Sequence, residues 1–144
     1  MRPEYGGSER VAKAARAAER LTADRRVQLV YLFGSTADPA VARPRDLDLA
    51  ILSDPPLSLD ELLRTGADLG AATGTVVDLV SLNDAPIVLA QQIVEFGRCL
   101  FARDDDVEME FVTRTRARYW DFKPYRDEQW RLAAERQQER LDGA

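Results

Sequence analysis

Histidine is absent from this 144-residue chain, and cysteine occurs once. The first absence removes imidazole bases, serine–histidine and cysteine–histidine nucleophile pairs, and histidine-based zinc sites. Any catalysis must run on carboxylates and metal ions, or on lysine, arginine and tyrosine. The lone Cys99 cannot close an internal disulfide. In the apolar run Arg98–Ala102 it reads as a reduced, buried thiol, in keeping with a cytoplasmic protein. Long hydrophobic runs are missing too. No stretch approaches the roughly 18 apolar residues of a membrane helix, and the opening MRPEYGGSER lacks the apolar centre of a signal peptide. Nor is there a basic excess: 25 acidic residues against 20 basic leave a net charge of −5, which argues against a broad nucleic-acid surface. Local basic clusters remain compatible with it.

What is present suffices for one core. At 45% hydrophobic, with no internal repeat and no low-complexity linker, residues 1–144 read as a single domain. Ser8 offers an N-cap for an alanine-rich helix to about Leu21. VQLVYLF (27–33) and DLDLAILS (46–53) read as strands, with Gly34-Ser35 ending the first. Ser58-Leu-Asp-Glu61 has capping-box spacing and opens a helix carrying Leu59, Leu62 and Leu63, stopped at Gly74. TVVDLVSL (75–82) is a third strand. Pro86 starts a helix with Ile87, Val88, Ile93 and Val94 on its apolar side, and 98–102 is a short fourth strand. Residues 105–144 form a charged helical tail, read as two segments broken at Lys123-Pro124. The expected class is α/β (α+β): a mixed sheet of about four strands packed by helices.

The chemistry concentrates between Gly34 and Asp48. Gly34-Ser35 is followed by ten residues and then Asp46-Leu47-Asp48. Alternation along a strand projects Asp46 and Asp48 from one face and Leu47 and Leu49 from the other. Two carboxylates side by side repel, and a hard cation such as Mg²⁺ is the natural partner between them. Asp78 interrupts an otherwise apolar strand, where a charge without a partner is costly. Beside the Asp46 strand it completes a set of three carboxylates able to hold two metal ions. The Gly34-Ser35 turn supplies close backbone approach, a hydroxyl and free N–H groups for a phosphate. Taken singly, each piece has a plain structural explanation: a turn, a solvated strand face, an ion pair with a buried arginine. Joined in this order, each beside a strong strand signal, they point to an active site.

On these residues the chain resembles the DNA polymerase β-type nucleotidyltransferase superfamily. More closely, it is similar to the minimal nucleotidyltransferases of the MntA antitoxin type, encoded beside HEPN-domain (HepT) toxins. Gly-Ser, ten residues and Asp-x-Asp mark the family; Tyr31–Ser35, Asp46–Leu52 and the tail Arg114–Tyr125 look like it too. The resemblance covers essentially the whole chain and implies a nucleotidyltransferase fold. It implies that Asp46, Asp48 and Asp78 bind two Mg²⁺ ions and that Gly34 and Ser35 hold the triphosphate of ATP. It further implies transfer of AMP to a tyrosine hydroxyl of a cognate HEPN toxin, with a hetero-oligomer of the two. Two residues depart from the pattern: Arg45 stands where relatives often carry serine, and Asp38 adds negative charge to the phosphate loop.

Other readings stay open. One is a small-molecule nucleotidyltransferase of the aminoglycoside-modifying kind; another is a catalytically silent toxin-binding module. Arg114, Arg116 and Arg118 spread around a helix and read as a solvated face. Tyr119, Trp120, Phe122 and Tyr125 read as core or hinge packing, and the segment 126–141 as exposed or partner-bound.

Overall fold

A computed structural model of the chain describes residues 4–34 and 46–143. The elements run α1 (Glu4–Thr22), β1 (Val27–Phe33), β2 (Asp46–Ser53), α2 (Leu59–Thr73), β3 (Val76–Ser81), α3 (Ile87–Phe96), β4 (Arg98–Ala102) and α4 (Asp105–Asp142). The strands form a four-stranded mixed sheet in the order β3-β2-β1-β4. β1 pairs antiparallel with β2 and β4, while β2 pairs parallel with β3. The fold class expected from the sequence is the one observed.

Two apolar layers sandwich the sheet. On one face Ala14, Ala17, Ala18 and Leu21 of α1, with Leu69 of α2, pack on Val30, Leu32, Leu47, Leu49 and Ile51. Small alanines let α1 lie close to the strands. On the other face Ile93 of α3 and Phe111 of α4 cover Leu29, Tyr31, Ala50 and Leu82. Val27 and Leu29, two residues apart, nonetheless join opposite layers. The β1–β2 register shifts between them, and one irregular residue suffices to flip side-chain parity.

Local chemistry sets several boundaries as expected. Ser58 accepts from the Glu61 N–H and Glu61 accepts from the Ser58 N–H, a complete capping box, and Gly74 closes α2 at φ 71°. Other expectations are corrected. Ser8 does not cap α1; the helix is already formed at Glu4, because a turn nucleated in the alanine-rich stretch propagates upstream at little expense. Leu59 and Leu63 are exposed, since α2 turns Gly66, Leu69 and Thr73 toward the sheet instead. Cys99 is half-buried, its thiol pushed up to about 11 chiefly by burial. The tail is a single helix that passes through Pro124. Proline deletes one backbone hydrogen bond, but side-chain contacts bridge the spot: Lys123 lies over the Trp120 ring at 5.7 Å, Arg126 over Tyr119 at 5.4 Å, and Phe122 meets Tyr125 at 6.1 Å. Trp120 and Tyr125 are exposed, not core, because α4 leaves the body after Thr115. In the arginine cluster, Arg114 pairs with Glu110 at 3.2 Å and Arg116 with Glu95 at 2.6 Å.

Arg26 ties the α1–β1 turn to α2, reaching Asp24 at 2.8 Å and Glu61 at 3.0 Å. The Asp24 carboxyl is held below its ordinary 3.8 by the Arg26 guanidinium, and Glu61 below its ordinary 4.5 by the Ser58 N–H first and Arg26 second. Carboxyls depressed by folding stabilise the native state above their unfolded values, and that contribution fades as pH falls through the native ones. Arg26→Met is therefore expected to lose most stability near pH 7 and to approach the parent below about pH 4. Urea unfolding of both proteins across that range checks it; a pH-independent gap would contradict the ion-pair account.

Candidate active site

The alternation that buries Leu47, Leu49 and Ile51 under α1 and α2 sends Asp46 and Asp48 to the opposite face. On that face α3 and α4 cover β2 only from Ala50 onward, so Asp46 is exposed and Asp48 half-buried. β3 follows the same gradient. Parallel register sets Asp46 opposite Val76, Asp48 opposite Asp78 and Ala50 opposite Val80. Asp48 and Asp78 are thus lateral neighbours on one face, on strands about 4.8 Å apart, with Asp46 two residues away along the chain.

Asp78 is exposed, which corrects the argument from burial. β3 is an edge strand, and among the described residues no helix covers its Val76–Asp78 end on this face; Val76 is itself 64% exposed. The donor set is wholly hard oxygen, the chemistry that Mg²⁺ takes. Among the described residues, no group of three acidic or thiol side chains is gathered tightly enough to hold an ion as it stands.

Gly34 closes the site on the β1 side. Phe33 pairs with Asp48, which brings the next residue against the Asp48 side chain. Gly34 has φ 82°, a region that side chains strongly disfavour. A Cβ there would collide with the Asp48 Oδ2 and lie 2.8 Å from its Cγ. Glycine is required twice over, by conformation and by the carboxylate beside it. Ser35, Asp38 and Arg45 lie outside the described residues.

Sequence reasoning missed Arg10. This α1 residue is half-buried, and its Nη2 donates to the Asp46 carbonyl at 2.6 Å. Burial lowers the guanidinium's pKa, against the raising influence of Asp48 and then Asp46. A contact spanning 36 residues leaves no local signal in the sequence.

A separate open groove of about 480 Å³ runs between α2 and β3, lined by Leu62, Gly66, Gly70 and Val77 and reaching Asp78 at its rim. It lies mainly on the α2 side of the edge strand, whereas Asp46 and Asp48 project from the other face.

With this geometry in view, residues 16–106 match the family described as Polymerase beta, Nucleotidyltransferase. The chain belongs to that family. It is 36% identical over 96 residues to the protein adenylyltransferase MntA of Shewanella oneidensis, a span covering 65% of this chain and 67% of the relative. It also resembles a chain in the crystal structure of a toxin–antitoxin with AMP-PNP, at 28% identity and TM-score 0.74, covering 83% of this chain and 98% of the other. A third likeness is to a chain in the complex of a tri-AMPylated Shewanella oneidensis HEPN toxin with its MNT antitoxin, at 27% identity and TM-score 0.68, covering 85% and 98%. Family membership makes the chain a nucleotidyltransferase, and the matched span holds Gly34, Asp46, Asp48 and Asp78.

The contact of Gly34 with Asp48 yields a direct test. Gly34→Ala is expected to destabilise the protein by about 1–3 kcal/mol, the usual range for a strained backbone position. Combining it with Asp48→Ala removes the colliding carboxylate, so the two changes should couple favourably by about 1 kcal/mol. Denaturant unfolding of both single variants and the double variant measures this; strict additivity would refute the collision.

Proposed function

We propose that the chain is an antitoxin-type protein adenylyltransferase that moves AMP from ATP to a tyrosine hydroxyl of a cognate HEPN toxin and so neutralises it. One observation carries the reading most: Asp46, Asp48 and Asp78 share one open sheet face, beside a glycine turn, in a chain 36% identical to a protein adenylyltransferase. The complexes formed by similar chains, one with AMP-PNP and one with an AMPylated HEPN toxin, support the nucleotide and the partner.

In this reading the backbone at Gly34 and the Ser35 hydroxyl would receive the phosphates, and Asp46, Asp48 and Asp78 would hold two Mg²⁺ ions. Bound there, the ions supply Lewis acidity that offsets charge on the transferring phosphate and the leaving pyrophosphate. The tyrosine oxygen forms a bond to the α-phosphorus as the bond to the bridging oxygen of the β-phosphate breaks, releasing pyrophosphate. Asp78, exposed on the edge strand and beside Asp48, takes the phenolic proton. An open edge suits an acceptor that arrives on another protein, because docking fixes the hydroxyl close to the phosphorus.

α4 is the docking element in this proposal. Its 38 residues extend about 57 Å, and beyond Thr115 it exposes Trp120 and Trp130 at 68% and 74%. Aromatic residues on an otherwise polar helix are typical anchors of a protein interface. A cytoplasmic setting supplies ATP. Among the described residues, no helix is long and apolar enough to cross a membrane.

Asp46→Asn and Asp48→Asn are each expected to reduce AMP transfer by on the order of a hundredfold or more, since ligand loss exceeds the usual effect of outer-sphere changes. Circular dichroism should show an intact fold. The assay incubates the chain with labelled ATP, Mg²⁺ and the purified HEPN partner, then locates label by intact mass and peptide mapping. Label on an added aminoglycoside with none on the partner would establish the small-molecule reading. Neutralisation of the toxin without label on either would establish the silent binding module.

A further inference from the structure

Arg10 has no part in the reaction described above, yet this α1 residue reaches the carboxylate end of β2. The rest of the helix serves the core: Ala14, Ala17, Ala18 and Leu21 follow at helical spacing and all face the sheet. One turn before Ala14, the same face carries Arg10, whose Nη2 binds the Asp46 carbonyl at 2.6 Å. A cation is therefore held at the first residue of β2, within the field of two carboxylates that repel each other. We infer that Arg10 is a built-in counter-charge for Asp46 and Asp48: it holds the start of β2 in place when the pair carries no divalent ion, and it opposes that ion by like-charge repulsion when one binds. It is a positioning residue, acting through Asp46 and Asp48. The inference rests on reading those two residues as metal ligands.

Mn²⁺ is the probe, its free fraction read by electron paramagnetic resonance at low salt without nucleotide. Arg10→Gln keeps a hydrogen-bond donor and removes the charge; Arg10→Lys keeps the charge. The expected result is Mn²⁺ affinity about fivefold tighter in Arg10→Gln, the scale of repulsion between nearby charges in water, and within about twofold of the parent in Arg10→Lys. Thermal unfolding in EDTA should rank Arg10→Gln below the parent, with the gap narrowing in saturating Mn²⁺ as one cation replaces another. Unchanged affinity in Arg10→Gln, or a melting gap indifferent to Mn²⁺, would overturn the inference and leave Arg10 a plain structural anchor. If Arg10→Gln does not fold alone, Arg10→Gln combined with Asp46→Asn decides: recovery of the fold supports charge compensation, and failure of the double variant overturns it. Asp46→Asn and Asp48→Asn in the Arg10 background separate the two readings. Parent-like Mn²⁺ binding by both would remove the metal site itself and this inference with it.

Discussion

The phase of β2 is the constraint on which the site depends. Leu47, Leu49 and Ile51 are at most 1% exposed beneath α1 and α2, and each contributes roughly 1.5–3 kcal/mol by burial. Against this stands the repulsion between Asp46 and Asp48, about 1 kcal/mol for solvent-facing charges one strand repeat apart. The apolar side wins by several-fold. A slip by one residue would expose three large side chains and bury both carboxylates, so no alternative register competes. The core thereby imposes a charge pair that the site needs and that the protein would otherwise avoid. The same logic extends sideways, because the parallel pairing of β3 puts Asp78 level with Asp48.

Much of this was legible because it is periodic. β1, β2 and β4 occupy the spans read from β-branched and aromatic runs, and α2 has the cap and stop its sequence announces. Signals of this kind live within a few residues of each other. Failures came where tertiary context decides. The leucines Leu59, Leu62 and Leu63 stand out in the α2 sequence, but helical spacing alone does not say which arc meets the sheet; Gly66 and Leu69 mark the arc that does. Asp78 was placed by the expense of burial, yet an edge strand has an open face and imposes none. Arg10 was invisible for a stricter reason: its partner is 36 residues away.

Pro124 shows a local rule giving way. The break expected at Lys123-Pro124 follows from a lost N–H and a ring clash, together worth about 3 kcal/mol. α4 nonetheless runs through it, with contacts on both sides of the proline and a further Arg131 link to Glu128 and Glu135 at 2.5 and 2.6 Å. Exposed pairs of this kind contribute only a few tenths of a kcal/mol each. They do not by themselves outweigh a proline. Beyond Thr115 the helix exposes two tryptophans, a surface that the proposed docking on a partner would cover.

The two open regions of the molecule are not equivalent, and the difference bears on the acceptor. The groove between α2 and β3 is large enough for a small molecule, since ligand pockets run from roughly 300 to 1,000 Å³, but it opens mainly on the face that Val77 and Leu79 share with the core. Asp46 and Asp48 project from the reverse face, so of the three carboxylates a molecule seated in the groove meets Asp78 at the rim and has the edge strand between itself and the other two. In-line attack requires the acceptor oxygen a few ångströms from the α-phosphorus, which such a seat does not provide. On the carboxylate face α3 and α4 cover β2 from Ala50 onward and leave Asp46 exposed. In the proposed reading a folded partner docks over the exposed Asp46 and Asp78 and brings its own hydroxyl to that face, which favours a protein acceptor over a molecule seated in the groove.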